Sequence, residues 1–152
     1  MVSRCTALKL HLNREWMKIS TKTRYGMRFM VDLAERYGSG CIAMKDVAER
    51  QGISKKYLEQ VVAPLASSGL LQVTRGVKGG FELSRAPEKI TLADIVRASD
   101  DGLELMDCLS CIAVCEKEAG CVSHNIWGGM QNAINEYLES RTLADVVSET
   151  TA

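Results

Sequence analysis

The chain has 152 residues, 46% apolar and 25% charged, the proportions of an ordinary globular protein with length for one real core. No run of about 18 apolar residues occurs, which excludes a long apolar spanning helix, and residues 1–16 lack the apolar core and small-residue cleavage site of a secretory signal. The formal net charge of zero hides a segregation: residues 17–89 hold 13 Lys and Arg against 7 Asp and Glu, whereas residues 90–152 hold 3 against 11.

A basic N-terminal half is the electrostatic footprint of a nucleic-acid face, although a solvated surface can carry the same imbalance. Residues 1–16 show no clear period and read as an extension ahead of Met17. Ser20 and Thr21 are caps for a first helix running to about residue 37. Met27, Met30, Val31 and Ala34 form its apolar stripe, which Phe29, Leu33 and Tyr37 widen. The methionines read as core filler. Lys22, Arg24 and Arg28 lie in the early turns, within reach of a phosphate backbone. Gly38-Ser39-Gly40 ends the helix.

A short helix over residues 44–51 follows, then Gly52-Ile53-Ser54, with Ser54 as the cap of the next helix. Helix, short glycine turn, capped helix is the helix-turn-helix pattern. The second of these helices buries Leu58, Val61, Val62 and Leu65. Its other face presents Lys55, Lys56, Glu59 and Gln60, groups suited to phosphates and base edges, though such a face is also how a merely solvated helix looks. Pro64 is expected to bend this helix near its end. Residues 70–75 and 81–84 read as two strands around the glycine-rich turn 76–80, a wing whose Arg75 and Lys78 flank glycines. The turn opens no helix and lacks Gly-Lys-Ser/Thr, so it is no nucleotide-binding loop. Thr91-Leu-Ala-Asp94 starts a helix to about residue 99, and the same four residues recur as Thr142-Leu-Ala-Asp145.

Residues 108–124 read Cys108-Leu-Ser-Cys111-Ile-Ala-Val-Cys115-Glu-Lys-Glu-Ala-Gly-Cys121-Val-Ser-His124. Four of the six cysteines and one of the two histidines fall here. Thiolate and imidazole are donors for iron–sulfur iron, zinc and copper(I). Unevenly spaced cysteines outside a secretory context point to metal or redox chemistry rather than a disulfide framework. Three readings stay open: an iron–sulfur cluster, a structural zinc site favoured by the Cys108-x-x-Cys111 spacing, and a metal-free thiol–disulfide switch. His124 is either a ligand or a packing residue at the start of the next helix. His11 and Cys41 have no supporting neighbours and read as structural. Ser123 is expected to cap a helix over residues 125–141, whose apolar face of Ile126, Trp127, Met130, Ala133, Ile134, Tyr137 and Leu138 is wider than one small domain needs. Part of it should pack on the first helix and part should form a dimer seam.

Together, Lys18-Ile-Ser-Thr-Lys-Thr-Arg-Tyr-Gly-Met-Arg28, Tyr57-Leu-Glu-Gln60 and Arg75-Gly-Val-Lys-Gly-Gly-Phe81 resemble the signatures of the Rrf-two family of bacterial winged-helix regulators, over residues 17–148. The resemblance implies a non-enzymatic, cytoplasmic transcriptional regulator of the iron–sulfur type, a repressor that binds double-stranded palindromic DNA as a homodimer. It implies a 2Fe-2S or 4Fe-4S cluster held from Cys108, Cys111, Cys115, Cys121 and His124, and DNA contacts from Lys22, Arg24, Arg28, Ser54, Lys55, Lys56, Tyr57, Glu59, Gln60, Arg75, Lys78 and Gly79. Cluster-bearing members space three cysteines by five residues, with histidine three positions after the last. Cys115, Cys121 and His124 match the latter half of that pattern. Leu109 stands where the first cysteine would be, bracketed by Cys108 and Cys111. Nitric-oxide-sensing members can draw an acidic ligand from the first helix, where this chain has Arg24. Members that govern cysteine metabolism lack the cluster cysteines.

The expected fold is mainly α with a small β-wing: an extension at 1–16, a winged helix-turn-helix domain at 17–99, a cysteine-rich loop at 100–124, and a dimerisation helix with C-terminal tail at 125–152. The other classes are a zinc- or thiol-switch regulator of cysteine and sulfur metabolism working with a protein partner, and a redox carrier built on the cluster, which the basic winged helix argues against.

Overall fold

The structure is a computed structural model and describes residues 19–99, 104–106, 109 and 120–151. In chain order its elements are α1 (Thr21–Ala34), α2 (Met44–Gln51), α3 (Lys55–Ser67), β1 (Leu71–Thr74), β2 (Gly80–Leu83), a single 3₁₀ turn (Pro87–Lys89), α4 (Leu92–Ser99), α5 (Val122–Ser140) and α6 (Leu143–Thr151). The expected extension at 1–16 lies outside the described residues.

Ser20 caps α1 through its hydroxyl, which accepts from the Thr23 amide at 3.0 Å. The helix ends at Ala34, three residues short of the expected end, and Tyr37 is exposed. Phe29, Met30 and Leu33 from α1, Val47 from α2, and Leu58, Val61, Val62 and Leu65 from α3 are buried against one another. Met30 is core filler, as its position in the stripe implies. α3 is capped by Ser54, whose hydroxyl accepts from the Tyr57 amide at 3.3 Å. Pro64 lies inside the helix, three residues from its end.

β1 and β2 pair antiparallel, with Leu71 opposite Leu83 and Thr74 opposite Gly80. Ile42, in the α1–α2 connection, adds a bridge to Phe81 with two backbone hydrogen bonds of 3.0 and 2.9 Å. Phe81 then meets Phe29 edge-on, ring centroids 5.7 Å apart, which seats the wing on the helical core. The result is the winged helix-turn-helix: mostly helical, with one small antiparallel sheet.

The two Thr-Leu-Ala-Asp stretches face each other. In each, the aspartate accepts from the threonine amide (3.2 Å in the first, 2.8 Å in the second) and the threonine hydroxyl accepts from the aspartate amide (3.1 and 3.3 Å). Both are reciprocal capping boxes. Thr91 and Thr142 pair as an isolated antiparallel bridge, with the Leu92 amide donating to the Arg141 carbonyl and the Leu143 amide to the Ile90 carbonyl. Residues 143–151 are therefore no loose tail. They form α6, whose Leu143 is fully buried in the same core as α1 and α3.

Candidate nucleic-acid interface and cysteine site

The predicted DNA-contacting groups lie on α1, on α3 and in the wing. Lys55, Lys56, Glu59 and Gln60 are exposed on α3, and Lys55 reaches Glu59 at 3.9 Å across one helical turn. An exposed pair of this kind contributes about 0.5 kcal/mol or less and leaves both groups available to a ligand. Ser54 is committed to capping the helix, so its hydroxyl already has a donor. Tyr57 is half-buried and meets Tyr25 of α1 edge-on, centroids 5.7 Å apart. The guanidinium carbons of Arg24 and Arg28 lie 5.9 and 5.5 Å from the Tyr25 ring centre. Lys22 and Arg24 are exposed. Arg28 is engaged: its Nε donates to Gln51 Oε1 and its Nη2 to the Gln51 carbonyl, both at 2.9 Å.

In the wing, Arg75 and Lys78 are exposed on either side of the tip. Gly76 has φ +114°, a left-handed conformation that side chains rarely adopt. Gly79 is glycine for a reason internal to the fold. A Cβ there would fall 2.2 Å from the Thr74 carbonyl oxygen, and one on Gly80 would fall 2.4 Å from that of Ile42. Close approach by the protein's own backbone thus accounts for both.

Sequence periodicity gave no sign of the charged centre behind this face. Asp32, on α1 between Val31 and Leu33, is 2% exposed. Its carboxylate accepts from Arg50 Nε at 2.9 Å and Nη2 at 2.6 Å, from Arg36 at 3.1 Å and from Gln51 Nε2 at 3.4 Å. Burial pushes the carboxyl pKa up, but the Arg50 hydrogen bonds and the charges of Arg36 and Arg50 outweigh it and hold the group below its ordinary value. The same contact raises the Arg50 pKa. This pair fastens α1 to the end of α2. The available signal was an acid on the apolar side of one helix and an Arg-Gln dipeptide closing the next.

Of the predicted metal ligands, Cys108, Cys111 and Cys115 lie outside the described residues. Cys121 and His124 are described and both are half-buried. Cys121, rather than Ser123, is the N-cap of α5, without a side-chain capping bond, so the helix begins three residues earlier than expected. His124 consequently sits within the first turn. Residues three apart on a helix share a side, so thiol and imidazole flank one helix end. Among the described residues no three Cys, His, Asp or Glu side chains converge on a metal-sized site. Cys121 and His124 are thus the two described donors of the predicted set. Just ahead of them in the sequence, the Leu105 amide donates to the buried Gln131 of α5 at 2.8 Å, and Leu109 lies over Gly128.

α5 presents Val122, Ile126, Trp127, Met130 and Tyr137 to the outside. Arg97 of α4 pairs with its Glu139. Between α5 and α1 runs an apolar groove of about 840 Å³, lined by Met27, Val96, Met130, Ala133, Ile134 and Leu138 among others, with Arg24 and Arg28 at its edge. α5 therefore does not close on α1 as the sequence suggested. No helix among the described residues is long and apolar enough to cross a membrane.

Residues 19–149 match the Rrf2 family, described as an iron-dependent transcriptional regulator. The chain is 37% identical over 134 residues to the transcriptional regulator CymR of Bacillus subtilis, covering 88% of this chain and 92% of that protein. The solved structure of CymR, the global cysteine regulator of B. subtilis, superposes with a TM-score of 0.74 at 36% identity, over 87% of this chain and 97% of that one. That of T. potens IscR superposes with a TM-score of 0.72 at 36% identity, over 88% of each. The helix-turn-helix, the wing and these matches along nearly the whole folded chain lead to one conclusion: it belongs to the Rrf2 family of transcriptional regulators.

Proposed function

We propose that this regulator is a cytoplasmic homodimeric repressor that reads a palindromic operator and is controlled by an iron–sulfur centre. The observation that carries the proposal is the placement of Cys121 and His124 at the first turn of α5, the helix whose outer side is apolar and unpaired. Cys115 and one or both of Cys108 and Cys111 complete the donor set. A 2Fe-2S or 4Fe-4S group held there supplies sensitivity to iron–sulfur supply, oxidation or nitric oxide. The chain's own residues do the rest. Cys121 and His124 fix the start of α5, Gln131 ties the incoming loop to its middle, and the α5 stripe sets the spacing of two α3 helices in the dimer. The centre controls DNA affinity only through its difference in affinity for two such arrangements.

On the DNA side, Lys55, Lys56, Glu59 and Gln60 reach base edges and phosphates from α3. Lys22, Arg24, Arg75 and Lys78 serve the backbone, and Tyr57 and Ser54 set the first turn of the reading helix. This division of labour assigns a reading head to 17–99, with α6 packed on its core, a ligand segment to the residues from 100 up to α5, and the pairing role to α5.

A second reading has its own support. The similarity to CymR, a cysteine regulator, favours a zinc- or thiol-switch regulator of cysteine metabolism that acts with a protein partner. Anaerobic purification followed by a visible spectrum and iron, sulfide and zinc analysis separates the two. Brown protein with matched iron and sulfide is the expected result. Colourless protein with stoichiometric zinc, or colourless protein that takes up no iron and sulfide on reconstitution, selects the second reading.

A further inference from the structure

We propose that Arg28 is a positioning residue for DNA reading: from α1 it fixes the turn between α2 and α3, and it donates to no phosphate. The proposal rests on the reading of α3 as the helix that meets DNA. A helix ends with carbonyls that have no partner inside it. At the end of α2, Gly52 turns left-handed at φ +64°, and the amides of Gly52 and Ile53 return to the Glu49 and Ala48 carbonyls at 3.2 and 3.0 Å. This leaves the Arg50 and Gln51 carbonyls; Arg28 Nη2 takes that of Gln51 at 2.9 Å while Nε takes the Gln51 side-chain oxygen at the same distance. A planar guanidinium suits this two-point grip, and a lysine ammonium does not.

The far side of the turn is held from the same place. Arg28 lies against the Tyr25 ring, 5.5 Å from its centre, and Tyr25 meets Tyr57 in the first turn of α3. Gln51 is in turn held by Asp32, whose carboxylate is buried. One α1 side chain thus bears on the last residue of α2 and, through a tyrosine pair, on the first turn of α3. Turning Nε and Nη2 toward a phosphate would cost Arg28 both Gln51 bonds and release the turn that aims Lys55, Lys56, Glu59 and Gln60.

The two roles separate by charge and by salt. A phosphate contact survives replacement by lysine, and its loss lowers the slope of log affinity against log salt by about 0.9. A positioning fork fails with lysine and leaves that slope unchanged. The experiment first selects a duplex from a random-sequence pool with the unaltered protein, then measures its binding and that of poly(dI-dC) across a salt series for R28K, R28Q and Q51M. We expect R28K and R28Q each to lose about tenfold in affinity for the selected duplex, with unchanged slope and unchanged poly(dI-dC) binding. Q51M, which removes the side-chain acceptor and keeps the backbone one, moves in the same direction by a smaller amount and keeps the test open if an Arg28 variant fails to fold. Full affinity in R28K, or a slope lowered by about one unit in R28Q, overturns the proposal. Unaltered protein that enriches no duplex withdraws the DNA reading itself, a failure seen before any variant is made.

Discussion

At the scale of single residues, Asp32 shows what burial does to a charge. A carboxylate taken out of water is costly unless it is paired and hydrogen-bonded, and here three side chains supply the bonds. Asp32→Asn should therefore lower stability by about 2 kcal/mol near neutral pH, less than for a wholly enclosed pair, because the Arg50 and Arg36 side chains remain 32% and 36% exposed. The sign of the pH dependence follows from the lowered pKa. A carboxyl that titrates lower in the folded protein than in the unfolded chain contributes fully above the unfolded value of about 3.9. That contribution is lost as pH falls through the folded value. Urea titrations at neutral pH and below about pH 4 should show the gap between D32N and the unaltered protein closing in acid. A gap independent of pH would mean that packing, not charge, holds the site. Nothing in the stripe of apolar residues on α1 announces this acid. Arg36 is one helical turn away, but Arg50 and Gln51 come 18 and 19 residues later, and a pairing across that distance exists only once α1 and α2 have packed.

Elements were more legible than residues. The Ser20 and Ser54 caps, the glycine turn between α2 and α3, and the alternation around residues 76–80 each encode local geometry, and each element appears where its signals stand. The start of α5 was misplaced because Ser123 is the better cap by chemistry. Cys121 nonetheless takes that position, without a side-chain capping bond. A glycine-rich wing tip suggests close approach by a nucleic-acid backbone. The carbonyl of Thr74 supplies a closer reason, and it makes Gly79→Ala a sharp test. The atoms a Cβ would meet are all backbone, so the hairpin must move, at a cost of about 2 kcal/mol. Thermal unfolding should show that loss, and anisotropy titration with DNA should show weaker binding, since Arg75 and Lys78 ride on the same turn. Unchanged stability and affinity would mean that the turn relaxes freely. The proposed ligand segment is of a different kind, read from donor spacing and family resemblance. Cys115→Ala combined with Cys121→Ala should abolish visible absorbance and bound iron while far-ultraviolet circular dichroism keeps its helical amplitude. Retained colour and iron would place the centre elsewhere.

At the scale of the whole molecule, a single chain leaves one surface unexplained by its own fold. The C-terminal helix α6 returns to the main core through Leu143, and the bridge between Thr91 and Thr142 fixes both of its neighbours. α5 is thus tied near its C-terminal end, by Arg97 of α4 to Glu139 and by Arg141 to Glu149 of α6, yet Ile126, Trp127, Met130 and Tyr137 stay exposed beside an open apolar groove. The width of the α5 stripe was legible in the sequence. Which part of it faces inward was not, because that depends on the groove left between α1 and α5. A second copy related by twofold symmetry would cover both stripe and groove, since one patch then meets itself. Met130 is the position that decides, 42% exposed and lining both the groove and the hollow beside Trp127. Met130→Glu places a charge in that seam and should convert a dimer into a monomer in analytical ultracentrifugation. Its affinity for a two-half-site duplex should fall to that for a single half-site, because the two reading helices are no longer linked. Residual helicity in the variant separates loss of pairing from loss of folding. An unaltered protein that sediments as a monomer at micromolar concentration, or a variant that remains dimeric, would put the pairing surface somewhere other than α5.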